Sequence, residues 1–277
     1  MLGSWALPAI GSFLMSPPMR LLPIPALSDN YIWLLTDRSG KALIVDPGEA
    51  APVLAALQRE WLEPAGILLT HHHPDHIGGV PGILAHHPGL PVAAPHDERI
   101  TTATQRLRAG ERIDFDAPQA HFEVLEIPGH TRSHIAFFGA GVVFAGDTLF
   151  SVGCGRMFEG TPAQMLASLD RLAALPDETL LCCGHEYTLA NCAFAITVDP
   201  DNAALRKRHD EVRAARARGE PTLPVALVLE RSTNPFLRVD SPALCSSGSD
   251  ALGVAAAQDR VARFAWLRSA KDGFRGT

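Results

Sequence analysis

The residues best suited to chemistry lie close together in Thr70-His71-His72-His73-Pro74-Asp75-His76-Ile77-Gly78-Gly79, directly after the apolar run Gly66-Ile67-Leu68-Leu69. Neutral imidazole is the commonest biological metal ligand, and a carboxylate beside it suits a hard, Lewis-acidic divalent ion. A strand that ends by delivering His71, His73, Asp75 and His76 into a turn can aim two pairs of ligands at two neighbouring ions. A catalytic ion of the zinc type takes about three protein ligands and keeps one position open. Four ligands therefore do not complete two sites, and later strand ends must supply more.

Three later segments meet that demand. Phe122–Ile127 reads as a strand leading into Pro128-Gly129-His130-Thr131, Gly141–Ala145 as a strand leading into Gly146-Asp147-Thr148, and Leu180–Cys183 as a strand leading into Gly184-His185-Glu186-Tyr187. In each case a glycine precedes the candidate ligand, where the backbone can turn sharply. A lone His or Asp at a strand end is usually a turn residue, so the signal lies in the recurrence.

These segments resemble the metallo-β-lactamase superfamily and, within it, the glyoxalase II (hydroxyacylglutathione hydrolase) family. The resemblance also takes in Ser28–Trp33, Ile44–Gly48, Gly153-Cys154-Gly155-Arg156, Asn234-Pro235-Phe236-Leu237-Arg238 and the tail Leu267–Asp272, so it runs from about Met19 to the C-terminus. It implies that His71, His73 and His130 hold one metal, that Asp75, His76 and His185 hold a second, and that Asp147 bridges them. Asp75 and Asp147 are then catalytic, two divalent ions are the cofactors (zinc first, with iron or manganese as alternatives), and a glutathione thioester is the substrate. Arg156, Tyr187, Arg268 and Lys271 are the substrate contacts the resemblance supplies. Arg156 stands where several relatives carry Lys, and Phe158 where some carry Tyr. His72 reads as structural, and Asp46 as an acceptor that supports the ligating histidines.

The elements that must position these residues follow from pattern. Strand-like runs at Tyr31–Thr36, Ala42–Asp46 and Ile67–Thr70 flank a helical stretch, Glu49–Trp61, with Val53, Leu54, Leu57 and Trp61 at helical spacing. Thr161-Pro162-Ala163-Gln164 carries the residues of a capping box. After His185 the character becomes helical, with helices expected over Asn202–Gly219 and Val254–Ser269 and a flexible connection over Ser241–Asp250. The expected fold is α+β: an αββα sandwich over residues 19–185, as the resemblance implies, then a smaller helical substrate-binding domain over 186–277. Residues 1–18 are expected to form a disordered extension.

Composition narrows the function classes. With 47% hydrophobic residues, 19% charged residues, a net charge of −6 and a pI near 6.0, the 277-residue chain reads as globular. No basic block interleaved with aromatics points to nucleic acid. No stretch reaches the roughly 20 uninterrupted apolar residues of a membrane span. The five cysteines are too few and too unevenly spread for a disulfide framework and fit a reducing cytoplasm. Nothing calls for assembly, so a monomer is expected.

Overall fold

The computed structural model describes residues 19–246 and 259–275. Two six-stranded sheets face each other. The first runs in the order β1 (Arg20–Ala26), β2 (Asn30–Thr36), β3 (Lys41–Val45), β4 (Glu63–Leu68), β5 (Val92–Pro95), β6 (Gln105–Leu107). The second is β14 (Val225–Ala226), β13 (Leu180–Cys183), β10 (Val142–Gly146), β9 (Ile135–Gly139), β8 (Ala120–Glu126), β7 (Arg112–Phe115). A short hairpin, β11 (Leu149–Phe150) with β12 (Gly153–Cys154), stands apart from both.

Strand β2 shows why the layers form. Successive side chains of a strand point to opposite faces. Tyr31, Trp33 and Leu35 enter the core between the sheets, while Ile32 and Leu34 face outward. Both sets are apolar, so both faces must be covered. The outer set is closed by Val53, Ala56 and Leu57 of α1 (Ala50–Glu60) and by Val80 and Ile83 of α3 (Val80–His86). On the second sheet, α4 (Pro162–Ala173) buries Met165, Leu166, Leu169 and Leu172. Helix, sheet, sheet and helix therefore stack in that order.

Beyond His185 lie α5 (Thr188–Val198), α6 (Ala203–Ala217), α7 (Leu227–Thr233) and α8 (Arg260–Gly273). Strand β14 carries this helical segment back onto the second sheet, pairing Leu180 with Ala226 and Leu181 with Val225.

Several expectations shift in detail. Trp61 does not join the buried face of α1; it is the left-handed cap (φ 54°), 90% exposed, and turns the chain towards β4. The last helix starts at Arg260, where Asp259 caps it, and runs to Gly273, past the expected end at Ser269. Residues 242–246 of the expected flexible connection form a helical turn. Residues 247–250 of that connection, 254–258 of the last helix and the 1–18 extension lie outside the described residues. Cys154, Cys182, Cys183 and Cys192 are buried free thiols. Among the described residues, no helix is long and apolar enough to cross a membrane.

Candidate metal centre

The centre sits along one edge of the sandwich, where chain segments leave β4, β8, β10 and β13. Strand β4 ends at Leu68, and the chain continues through Thr70 into His71 and the short helix α2 (Pro74–Ile77), which carries Asp75 and His76. Glycine lets these segments meet. A side chain at Gly48 would run into the Asp75 carbonyl, and one at Gly184 would lie 2.5 Å from Asp147 Oδ1 and 2.6 Å from the His76 ring.

Two triads result. In the first, His73 Nδ1 lies 3.1 Å from His71 Nε2 and 2.9 Å from His130 Nε2. In the second, Asp75 Oδ2 lies 3.5 Å from His76 Nε2 and 3.3 Å from His185 Nε2. The ligand atoms of each triad lie within 4.8 Å of one another. Asp147 stands between the two: its Oδ2 is 3.5 Å from His130 Nε2 and 3.2 Å from His185 Nε2, and its Oδ1 is 3.3 Å from His76 Nε2. All seven residues expected to bind metal are thus brought together.

The outward nitrogens show which lone pairs are free. His130 Nδ1 donates to the Arg156 carbonyl at 2.8 Å and His185 Nδ1 to Asp29 at 2.7 Å. His76 Nδ1 donates to Asp46 at 3.1 Å. Thr70 Oγ1 spends its proton on Asp46 and so accepts from His71 Nδ1 at 3.1 Å. A neutral imidazole holds one proton. In the neutral form that binds a metal, the Nε2 atoms of all four histidines turn their lone pairs inward, towards each other and towards carboxylate oxygens. His76 Nε2 and Asp147 Oδ1 are buried without a hydrogen-bond partner. Such an inward-facing set is satisfied by cations, so the residues fit a pair of divalent ions.

Electrostatics divide the set: burial holds His71, His73 and His130 neutral, whereas the carboxylates beside His76 and His185 favour a proton that a metal ion would replace. Burial and the neighbouring imidazoles of His76 and His134 push His71 far below the usual histidine range, and burial with His130 pushes His73 down to about 4. These rings stay neutral and able to donate to a metal. At His185 burial would lower the pKa, but its hydrogen bonds to Asp147 and Asp75 outweigh this and raise it to about 10. Burial likewise opposes, and His76 outweighs, a change that holds the Asp147 carboxyl far below its ordinary value.

The remaining expected residues fall into two groups. Asp46 is buried and spends its oxygens on Thr70 and His76, as a support for the ligands. His72 points away from the triads, 3.6 Å from Asp97 and 3.8 Å from Glu159. Tyr187 stacks on the His185 ring at 4.7 Å, and Phe158, 64% exposed, lies edge-on to His73 and His130. Arg156 is exposed and pairs with Asp272 at 3.2 Å, and Lys271 donates to the Ala190 carbonyl beside the Phe194 and Phe274 rings. Arg268 departs from the expected substrate contact. It is buried, donates to the Cys154 carbonyl at 2.6 Å and pairs with Asp272, so it supports the loop that carries Arg156.

Sequence reasoning assigned no role to Asp29, Asn30 or His134. Asn30 donates to Asp75 Oδ2 at 3.1 Å, and His134 Nε2 accepts the Asp147 amide at 3.1 Å while its ring stacks on His71. Asp29 and Asn30 lie in the Ser28–Trp33 match, which was the available signal; His134 follows no glycine and carried none.

The fold and the paired triads define a member of the metallo-β-lactamase superfamily, and residues 27–185 match the family model of that description. Residues 186–274 match the model described as the hydroxyacylglutathione hydrolase C-terminus, and the chain belongs to the hydroxyacylglutathione hydrolase, or glyoxalase II, family. It is 54% identical over 257 residues to the hydroxyacylglutathione hydrolase of Xanthomonas campestris pv. campestris strain B100, covering 93% of this chain and 100% of that one. The corresponding protein of Xylella fastidiosa strain M12 is 52% identical over 256 residues, covering 92% and 98%. Among solved structures, TTHA1623 in a di-iron-bound form superposes with a TM-score of 0.51 at 32% identity, covering 59% of this chain and 91% of that one.

Proposed function

We propose that this chain hydrolyses S-(2-hydroxyacyl)glutathione, chiefly S-D-lactoylglutathione, to D-lactate and glutathione, as a cytoplasmic monomer in methylglyoxal detoxification. The observation that carries the reading is a pair of adjoining ligand triads joined to a C-terminal segment of the hydroxyacylglutathione hydrolase type. Zinc is the first candidate for both ions, and the same His/Asp donors accept iron or manganese.

His71, His73 and His130, and Asp75, His76 and His185, with Asp147 between them, would hold two divalent ions, which would supply Lewis acidity for ionising a water near neutral pH and polarising a carbonyl oxygen. The chain's own groups do the rest. Asp75, fixed by Asn30, accepts a hydrogen bond from the attacking water and aims it at the thioester carbon. Phe158 and Tyr187 flank the reacting centre with ring surface and limit the entry of other waters. Arg156 and Lys271 meet the glutathione carboxylates, and Arg268 steadies the loop between them. The leaving group is a thiolate whose conjugate acid has a pKa of about 8.5, so it departs with little help from a general acid.

The test is steady-state hydrolysis of S-D-lactoylglutathione, with metal content measured on the same sample before and after chelation. Turnover should vanish on stripping and return with zinc, iron or manganese at about two ions per chain. Asp147→Ala should lose activity and metal together. Two bound ions without thioester cleavage would move the substrate to a lactone, lactam or phosphoester.

A further inference from the structure

The motif Asn234-Pro235-Phe236-Leu237-Arg238 has no part in the chemistry above, yet Asn234 is fully buried. It closes α7, and its side chain faces the tip of the β11–β12 hairpin. Asn234 Nδ2 lies 3.1 Å from the Phe150 carbonyl, 3.0 Å from the Gly153 carbonyl and 3.0 Å from Glu230 Oε2, while its Oδ1 accepts the Phe236 amide at 3.0 Å. Three acceptors on one side and a donor on the other fix the orientation of the amide group.

Glu230, also fully buried, completes the grip. Its Oε1 accepts from Ser151 Oγ at 2.7 Å and its Oε2 from the Val152 amide at 2.7 Å. Asn191 holds the Ser151 carbonyl at 3.0 Å, and Arg268 holds the Cys154 carbonyl at 2.6 Å. Every backbone carbonyl from Phe150 to Cys154 other than that of Val152 is thus taken by a side chain from the helical segment. The hairpin needs such a grip. Its two-residue loop, Ser151-Val152, places a β-branched residue at φ 56°, which persists only where surrounding contacts over-determine it. Val152 is fully buried among Cys192, Ala195, Leu205 and Val212.

The hairpin separates Asp147 from Arg156, and its exit is wedged against the metal centre. Gly155 N donates to the Thr148 carbonyl at 3.1 Å, a side chain on Gly155 would strike the Asp147 carbonyl, and the Arg156 carbonyl takes the proton of His130 Nδ1. We infer that the helical segment sets the first metal site through this hairpin, with Glu230 and Asn234 as positioning residues for His130. Releasing the hairpin moves the Arg156 carbonyl, and His130 then loses the partner that fixes its ring and leaves Nε2 unprotonated for the metal. Loss of such an outer partner typically weakens metal binding about 10–100-fold. The inference rests on the metal centre, not on the identity of the substrate.

The experiment is zinc competition against a chromophoric chelator, run well below the unfolding temperature of each apo-protein, with His130→Ala and His185→Ala marking the two sites. Wild-type protein that takes up clearly fewer than about two zinc ions fails the metal-centre reading itself, before any variant is compared. Asn234→Ala should weaken the site that His130→Ala abolishes by roughly tenfold and leave the other within about twofold. Glu230→Gln retains an acceptor for Val152 and Asn234 and offers its amide to Ser151 Oγ, so both affinities should stay near wild type. If Asn234→Ala does not fold, Ser151→Ala carries the same test. Unchanged affinities in folded Asn234→Ala, or in Ser151→Ala where it takes that variant's place, or equal weakening of both sites, overturn the inference. So does a Glu230→Gln protein that loses the first site as fully as Asn234→Ala, because charge and not position would then be acting.

Discussion

Four of the histidines proposed as metal ligands owe that capacity to a ring nitrogen that faces away from the centre. Thr70, Asp46, the Arg156 carbonyl and Asp29 each engage an outer ring nitrogen, and the inner lone pair is exposed as a result. The candidate ligands were legible in the sequence, four as the spaced His/Asp run that follows Leu69 and three as a His or Asp after a glycine at a strand end. Most of their partners were not: Asp29 lies 156 positions from His185, and the Arg156 carbonyl belongs to a backbone that any residue could supply. Lys271 gives the residue scale its prediction. Burial, then the nearby charge of Arg268, lowers its pKa to about 8, against the partial opposition of Asp272. Below that value the ammonium carries its charge, and above it the proton is lost. A charge-assisted hydrogen bond is worth about 1.5–3 kcal/mol, so KM for S-D-lactoylglutathione should rise roughly tenfold between pH 7 and pH 9. Lys271→Arg, which stays charged throughout this range, should flatten the rise. Identical KM profiles for the two proteins would remove Lys271 from the substrate contacts.

At the scale of elements, sequence served best where a cap or a repeat is local. The box before α4 is present in full: Thr161 Oγ1 accepts the Gln164 amide at 3.3 Å, and Gln164 Oε1 accepts the Thr161 amide at 3.0 Å. An N-cap of this kind is worth about 1 kcal/mol. Thr161→Ala should therefore lower the unfolding free energy by about that amount in a denaturant titration, with the slope unchanged and thioester turnover intact. A stability equal to wild type would mean that packing of Met165 and Leu169 alone holds the helix start. Sequence failed at the β11–β12 hairpin. Ser151-Val152 offers no glycine or asparagine to announce a two-residue turn, and the side chains that impose the turn come from α5, α7 and α8. Trp61 failed for the opposite reason. Its spacing suits the buried face of α1, but the helix has already ended where it stands, and its side chain is left in solvent.

Over the whole molecule, the centre is where the two sheets are tied together. His71, His73, Asp75 and His76 follow β4 of the first sheet, whereas His130, Asp147 and His185 follow β8, β10 and β13 of the second. Each triad draws on both sheets, since His130 joins His71 and His73, and His185 joins Asp75 and His76. Protein contacts cross the same edge: the Tyr31 amide donates to the Gly184 carbonyl and the Ile135 amide to the Thr70 carbonyl, at 2.8 and 3.0 Å. Metal that binds only the folded chain must therefore add to the free energy that holds the layers together. At a free ion concentration one hundredfold above the dissociation constant, each ion contributes about 2.7 kcal/mol. For a chain of this size that shifts the unfolding midpoint by roughly 5–10 °C. Scanning calorimetry of holo-protein, chelator-stripped protein and stripped protein resupplied with zinc should show the loss and its recovery. Asp147→Ala should already unfold near the stripped midpoint and respond little to chelator, because the residue shared by both triads is gone. Equal midpoints for the three wild-type samples would mean that the sheets are held by the protein contacts alone and that the centre is a passenger on a fold already complete.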